Sequence, residues 1–428
     1  MNIAATQQTE QLNAFNNKMN PYKDIYEQYV DEASFLWILR SVAIEQPHYT
    51  REDVYELEQR IQAQLDALMT SVDDAWEICL DALELEEPGE VFTSTIIAFR
   101  SHDQLKIQKA LEVGLSSDQS VKGLISAMGW LPGNLVHSWI KKFFTSKDLN
   151  HKYLAIAACS VRRENPTEYL NRILERDDCK AHEKLYARSL RLIGELRRLD
   201  LMSALSEGLQ SDNEDIKFWA IWSSILLGNK AEVSKLEPYI LASGPNQINA
   251  INIAFRAMPV EQARGIISKL SVNPEQTRTV IKATGVLGDP HAVNWLISLM
   301  SNPEVAKLSA EAMIMITGIN LEEHQLILDE PPGLAQQPSD DTGDVDVSLD
   351  EDENLSWPDA NKVSQVWMNL GRNFVTGQRY FMGQPISHEA LKNKINSGYQ
   401  RQRHAAAMEL ALSNSAFPLQ NTRSRVVV

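Results

Sequence analysis

Short polar breaks recur along the middle of this chain at intervals of 29 to 35 residues. Between the breaks, apolar residues follow the three- and four-residue spacing of helices, and the period-two alternation of strands is absent. A period of about 30 residues is typical of stacked helix pairs, each burying its apolar faces against its neighbours. The sequence therefore predicts a helical solenoid. The breaks lie near Asp118, Asp148, Asp177, Asp212, Gly244, Asn273 and Asn302.

The clearest repeat lies around Gly288. Gly288 is expected to end one helix, because glycine adopts the left-handed C-cap conformation without steric cost. Asp289 then caps the next helix, with Pro290 at its first position. Small residues at Ala283 and Gly285 allow two helices to approach closely. The buried stripe of the second helix is Val293, Leu296, Ile297 and Met300.

Three helices are predicted before the repeats: one from about Pro21 to His48, one after Thr50, and one from about Ser71 to Leu85. The second should begin after an N-cap at Thr50. Its apolar residues fall on one helix face, which predicts that this face is buried. They are Val54, Leu57, Ile61, Leu65 and Leu68.

The sequence divides into four segments by composition. Residues 1–89 form an N-terminal helical region, and residues 90–328 form the repeats. Residues 329–358 form an acidic linker, since 329–353 hold ten acidic residues and no Lys or Arg, a composition that buries too little to order itself. The remainder, 359–428, is basic, with nine Lys and Arg against three Asp and Glu.

The basic C-terminal region is expected to be helical with a little strand. The pattern indicates a short strand or turn at Arg379–Met382 and one helix from about His388 to Ser413. We expect the region to dock as a cap, because an open solenoid end exposes apolar surface. The acidic linker either lies on this basic region or stays solvated, and the sequence leaves both alternatives open.

Charge and cysteine usage restrict the classes of partner and compartment. The formal net charge is −16, which argues against nucleic acid and anionic membranes as main partners. Cys79, Cys159 and Cys179 are far apart, so we expect small buried thiols in a reducing compartment. The start of the chain has no signal-peptide pattern, and no apolar run is long enough to span a membrane. These features predict a cytoplasmic protein.

Motifs that would carry chemistry are missing. There is no phosphate-binding loop, no dinucleotide fingerprint and no nucleophile elbow. His182-Glu183 begins like a zinc motif, but Tyr186 stands where the second His is needed. The acidic stretch lacks the glycine and the bidentate Glu of a calcium loop, at Leu355 and Asn361. The sequence therefore predicts no enzyme, no catalytic residue, no cofactor and no metal.

Aromatic and arginine residues are the candidates for partner binding. Trp219 and Trp222 either anchor a partner or fill the core. The arginines of two successive repeats either grip a partner or a phosphate backbone, or form a solvated face that pairs with Glu183 and Glu195. The run 400–404 is basic and surface-like. The predicted partner-binding residues are Trp219, Trp222, Arg162, Arg188, Arg191, Asp340, Asp341, Asp344, Tyr380, Arg401 and Arg403.

Seven short segments carry a resemblance to a known family. They are Glu32–Trp37, Glu87–Phe92, Gly129–Pro132, Phe218–Ala220, Leu287–Pro290, Trp357–Asp359 and Gln400–Arg403. Together they resemble an uncharacterised bacterial family of HEAT-like helical proteins associated with type VI secretion genes, over nearly all of the chain. The family has no established catalytic residues, so none is transferred. The resemblance implies an all-α, HEAT-like α-solenoid and a cytoplasmic bacterial protein linked to contact-dependent antagonism.

These observations predict a non-enzymatic protein that binds a secreted effector toxin. An immunity protein that neutralises the toxin is the leading interpretation, because an acidic surface complements the basic surface of a nuclease toxin. The first alternative is an adaptor that loads the effector for secretion. The second is a HEAT-like enzyme that acts on nucleic acid, which a continuous basic groove would favour. The third is a lyase-type HEAT protein that handles a small cofactor, for which the sequence marks no site. The sequence leaves the oligomeric state open.

Overall fold

The computed structural model describes residues 22–329, 351–413 and 417–426. Within these ranges the regular secondary structure is helical apart from a two-stranded hairpin and an isolated bridge between Ile327 and Pro358. The prediction of an all-α, solenoid-like protein is confirmed.

The described chain forms two compact units whose limits differ from the four compositional segments. Unit 1 contains 22–43, 52–161 and 424–426. Unit 2 contains 44–51 and the described part of 162–423. Each unit therefore draws on segments that are distant in sequence.

Among the described residues, eight helices lie in unit 1, apart from the end residues Arg51 and Arg162, which belong to unit 2. They are α1 (Lys23–Ala43), α2 (Arg51–Leu68), α3 (Val72–Leu83), α4 (Pro88–Ser101), α5 (Gln104–Gly114), α6 (Ser120–Trp130), α7 (Gly133–Thr145) and α8 (Leu149–Arg162). A 3₁₀ turn, Met69–Ser71, joins α2 to α3.

Helix α4 lies at the centre of unit 1. It packs against α1, α3, α5 and α6, and every residue from Val91 to Phe99 is buried. Pro88 occupies its first position, which proline favours, so the predicted boundary after residue 89 lies inside this helix. A Cβ at Gly123 would overlap the Pro88 carbonyl, which explains how α6 approaches so closely. The predicted stripe of α2 is confirmed, since all five of its residues are buried.

The other helices that the structure describes lie in unit 2. They are α9 (Glu168–Glu175), α10 (Asp177–Ala181), α11 (Glu183–Leu196), α12 (Met202–Gly208), α13 (Glu214–Leu226), α14 (Glu237–Leu241), α15 (Gln247–Ala257), α16 (Val260–Leu270), α17 (Thr277–Leu287), α18 (Val293–Leu299), α19 (Ala306–Thr317), α20 (Ala360–Leu370), α21 (His388–Ser397) and α22 (Gln400–Ser413). The 3₁₀ segments are Leu199–Leu201, Lys230–Leu236, Pro274–Gln276, Pro290–Ala292 and Gly371–Asn373.

The repeats of unit 2 stack in sequence order. Helices α11, α13, α15, α17 and α19 each pack against the next, and α12, α14, α16 and α18 pack against the long helix that follows them. The repeat around Gly288 follows the prediction: Gly288 has a φ of +73°, and the Asp289 side chain accepts the His291 N–H. The predicted stripe from Val293 to Met300 is buried. A Cβ at Gly285 would lie 3.1 Å from Ala312, so α17 and α19 are in close contact there.

The C-terminal region docks on the repeats, as predicted. Val363 and Trp367 of α20 join the apolar cluster of the last repeat. The hairpin pairs β1 (Tyr380–Phe381) with β2 (Gln384–Pro385) in antiparallel register. The Tyr380 N–H donates to the Gly288 carbonyl over 2.7 Å, so the hairpin satisfies a carbonyl group at the end of α17.

The prediction of one helix from His388 to Ser413 is wrong. Two helices, α21 and α22, occupy the segment. Gly398 adopts an extended conformation and ends α21, and the Gln400 N–H donates to the Tyr49 carbonyl over 2.9 Å. The first residue of α22 is therefore bonded to a residue 351 positions earlier, and the local sequence pattern does not contain this contact.

Candidate protein-contact site

Helix α11 places Arg191 and Glu195 on one face, because residues four apart are neighbours on a helix. Arg191 Nε donates to Glu195 Oε1 over 2.9 Å, and Arg163 Nη1 lies 3.1 Å from Glu195 Oε2. The Glu195 side chain is fully buried. Two guanidinium groups therefore compensate the desolvation of one carboxylate.

Helix α13 brings Trp219 beneath Arg191. A Cβ at Gly194 would lie 2.6 Å from Ser223 Oγ, so α11 and α13 come into near-contact at this glycine. The Arg191 guanidinium consequently lies 4.5 Å above the centre of the Trp219 ring. This is cation–π geometry, which stabilises the pair and fixes the plane of the guanidinium.

A second aromatic ring supports Trp219 from below. The rings of Trp219 and Trp222 meet edge to face, with centroids 5.4 Å apart. Trp222 is only 4 % exposed and belongs to the apolar core of unit 2, whereas Trp219 is half-buried. We define the Arg–Trp cluster as these two tryptophans with Arg163, Arg191 and Glu195.

Burial, ion pairing and hydrogen bonding hold the charged groups of the cluster in place. Burial lowers the pKa of Arg163, and the charge of Glu195 opposes this shift. The Arg163 Nε also donates to the Leu419 carbonyl over 2.9 Å. Arg191 keeps one third of its side chain exposed. The cluster thus presents a held guanidinium beside a half-buried indole, a combination suited to a protein partner's carbonyl or carboxylate oxygens.

Three of the predicted binding residues meet in this cluster: Arg191, Trp219 and Trp222. Arg188 lies one turn earlier on α11 and is half-buried. Arg162 lies outside the cluster and pairs with Glu164 over 2.8 Å. The predicted alternative of a solvated face is confirmed in the pairing of Arg191 with Glu195 and is wrong about solvation, because the Glu195 carboxylate is buried.

The remaining described candidates have structural contacts. Tyr380 is 6 % exposed within the docked hairpin. Arg401 pairs with Glu311 over 2.7 Å. Arg403 is 7 % exposed and donates to the Ile395 carbonyl. The description of the run 400–404 as surface-like is therefore wrong for Arg403, which ties α22 to α21.

The predicted acidic candidates Asp340, Asp341 and Asp344 lie outside the described residues. The end of the acidic linker is described. Glu351 pairs with Lys282, and Asp352 pairs with Arg278, both on α17. These carboxylates bind the repeats, whereas the basic C-terminal region contributes the Arg401 hydrogen bond to the Glu351 carbonyl.

In the described part of the chain, the cysteines are buried and the potential metal ligands do not form a group. All three cysteines are buried free thiols, as predicted, and burial raises the pKa of Cys79 to about 12. In the described ranges, no group of three or more His, Cys, Asp or Glu side chains is placed to hold a metal ion. None of the described helices combines the length and apolar composition needed to cross a bilayer.

For Glu195, the sequence analysis predicted the pairing with arginine but missed the burial of its side chain. Its four-residue spacing from Arg191 was visible as a pairing signal. The contact with Arg163 and the full burial depend on tertiary packing.

Comparisons with protein-family models, with curated proteins and with solved structures found no match to this chain.

Proposed function

We propose that this chain is a non-enzymatic protein-binding scaffold of a bacterial type VI secretion context. It acts in the cytoplasm as an immunity protein that binds a cognate secreted toxin. The proposal assigns no catalytic residue, cofactor or metal. The observation that supports it is the Arg–Trp cluster, in which Arg191 stacks on Trp219 over the buried Glu195.

The composition of the cluster is that of a binding hot spot. Trp and Arg are enriched among the few residues that carry most of an interface's energy. Rigid anchors lose little conformational entropy on binding, so a guanidinium already held by Glu195 and Trp219 is pre-organised for a partner. A catalytic reading would need a carboxylate free to exchange a proton, whereas Glu195 contacts two arginines.

Charge supports a protein partner over nucleic acid. Arg162 pairs with Glu164, and Arg163 and Arg191 share Glu195, so two carboxylates offset most of the charge that a groove for phosphate backbones would need from these arginines. The net charge of −16 complements a basic protein such as a nuclease toxin.

Co-expression tests the proposal. The chain is produced in its native host with an affinity tag, and the proteins that co-purify are identified by mass spectrometry. Each candidate toxin is then expressed in a susceptible cell with and without this chain. Restored growth supports immunity. Co-purification of a toxin with a secretion-spike component and no restored growth would replace immunity with the adaptor role.

A further inference from the structure

Residues 424–426 belong to unit 1, whereas the chain before them belongs to unit 2. In unit 1 this segment lies against residues of α2 and α6, more than 290 positions earlier in the sequence. The contacts involve one guanidinium and one backbone N–H of the segment. They are independent of the Arg–Trp cluster in unit 2.

The backbone contact is made by a buried carboxylate. Glu58 is fully buried, and its Oε1 pairs with Arg40 Nη2 over 2.6 Å. Its Oε2 accepts the Val426 N–H over 2.8 Å. Burial raises the pKa of Glu58, and the charge of Arg40 opposes this. One oxygen of the carboxylate is thus held by Arg40, and the other accepts the backbone N–H of Val426.

The guanidinium contact is made by an aromatic ring and an amide. Arg425 lies 4.5 Å over the Trp130 ring, and its Nη2 donates to Gln62 Oε1 over 3.0 Å. The Trp130 Nε1 donates to the same oxygen over 3.3 Å, which fixes the ring relative to the amide. Phe92 packs edge to face on Trp130 with centroids 5.5 Å apart. Trp130 and Gln62 are therefore held by contacts that do not involve residues 424–426.

We propose that Glu58, Gln62 and Trp130 form a docking site for an arginine-bearing protein segment, with residues 424–426 as its internal occupant. The recognised features are a planar guanidinium and the N–H of the following residue. Any partner segment with an arginine followed by a residue other than proline presents both. Such a segment binds by displacing residues 424–426.

An internal occupant competes at an effective concentration on the order of millimolar, so a free peptide binds the intact chain weakly. Loosening the occupant should reveal the site. Arg425→Ala removes the guanidinium, and Val426→Pro separately removes the N–H that Glu58 accepts. Arg372→Ala, at an exposed arginine of unit 2, is the matched control. Circular dichroism and thermal melts confirm that each full-length variant is folded.

The probe is a fluorescein-labelled peptide of residues 421–428, and its binding is followed by fluorescence anisotropy. We expect at least tenfold tighter binding to the Arg425→Ala and Val426→Pro chains than to the wild-type and Arg372→Ala chains. Adding Gln62→Met to Arg425→Ala should weaken binding severalfold, because it removes the acceptor. The Arg425→Lys peptide should also bind more weakly, because an ammonium group lacks the planar face that stacks on Trp130.

A second peptide of Gly and Ser that retains only the Arg–Val pair tests whether the site recognises this chemistry in a partner. Binding within tenfold of the first peptide supports the proposal. Equal binding of the first peptide to the loosened and wild-type chains would overturn it. Equal binding of a peptide carrying Arg425→Ala would overturn it as well.

Discussion

At the scale of single residues, several buried carboxylates are held by arginines. Glu195 meets two guanidinium groups in the Arg–Trp cluster. Glu409 of α22 also meets two guanidinium groups, those of Arg256 on α15 and of Arg379 beside the hairpin. Removing one partner of such a group leaves a buried charge without compensation, which costs more than the pair itself contributes.

Glu409→Gln should therefore destabilise unit 2 strongly. Arg256 is fully enclosed, and burial lowers its pKa to about 10, with Glu409 opposing the shift. We expect a loss of about 3–5 kcal/mol in the free energy of unfolding, measured by urea titration. The control is Glu168→Gln, at an exposed pair with Arg172, which should change it by about 0.5 kcal/mol or less. A loss as small as the control's would contradict this account.

His404 gives unit 2 a dependence on pH. Its Nε2 lies 2.7 Å from the Ile44 carbonyl and must donate, so Nδ1 accepts from the Thr422 hydroxyl. Burial, and next the charge of Arg423, lower the pKa of His404 from 6.5 to about 4. The unfolded state therefore binds the proton first, and stability falls as the pH drops below about 6.5.

The His404→Gln variant isolates this contribution, because glutamine does not titrate. Between pH 7.5 and pH 5, wild-type stability should fall by about 2 kcal/mol more than that of the variant. Urea titrations at both pH values measure the difference. Parallel pH profiles for the two chains would show that His404 does not carry the effect.

Sequence reasoning reached some of these residues and missed others for a physical reason. The Arg191–Glu195 spacing and the Gly288-Asp289-Pro290 junction are local, so the sequence displays them. The stacking of Arg191 on Trp219 joins two helices, and the lining of the Glu58 site joins segments that are far apart in the chain. Contacts of this kind depend on packing and leave no periodic signal.

At the scale of elements, helix ends connect the repeats to the C-terminal region. The hairpin donates to carbonyl groups at the ends of α17 and α19, through Tyr380 to Gly288 and through Met382 to Met315. Arg379 adds a hydrogen bond to the Leu287 carbonyl over 2.9 Å. These contacts replace water at helix termini, whose last carbonyl groups lack partners within the helix.

Two glycine substitutions should have opposite effects. Gly288→Ala places a side chain at positive φ and against the Tyr380 carbonyl, so we expect a loss of about 1–3 kcal/mol. Gly265→Ala lies inside α16 with open space around it, so a gain of about 0.5–1 kcal/mol is expected. Thermal unfolding of both variants measures the two shifts. A stabilising Gly288→Ala would refute the proposed packing of the hairpin.

The periodicity predicted elements well where a helix buries one face. The stripe of α2 and the stripe after Gly288 are buried as expected. It failed for α21 and α22, because the break at Gly398 accompanies a tertiary hydrogen bond to Tyr49. The docked end of the acidic linker was also missed, since its charge pairs lie on α17.

At the scale of the whole molecule, the helical, solenoid-like class was predictable from the repeat period alone. The two-unit division was not. Unit 1 includes 424–426, and unit 2 includes 44–51, so each unit contains a short segment from a distant part of the chain. Changes in composition along the sequence can indicate linkers. The placement of 424–426 in unit 1 and of 44–51 in unit 2 depends on tertiary contacts, which composition does not reveal.

The C-terminal region should remain bound after the chain is cut. A site-specific protease sequence is inserted between residues 340 and 341, and the folded protein is cleaved. The fragments should co-elute in size-exclusion chromatography, because α20 and the hairpin pack on the repeats of unit 2. A C-terminal fragment that elutes alone would contradict this packing.

The central claim is that the Arg–Trp cluster binds a protein partner. Its most direct test is quantitative affinity purification from the native host with wild-type, Arg191→Ala and Arg172→Ala chains. Arg172 is the matched control, because it also lies over an aromatic ring, 5.8 Å from that of Tyr169, but on an exposed pair. Loss of a hot-spot arginine costs about 2 kcal/mol or more, so recovery of the partner should fall at least tenfold for Arg191→Ala alone. Equal recovery with all three chains, or recovery of nucleic acid in place of a protein, would contradict the account.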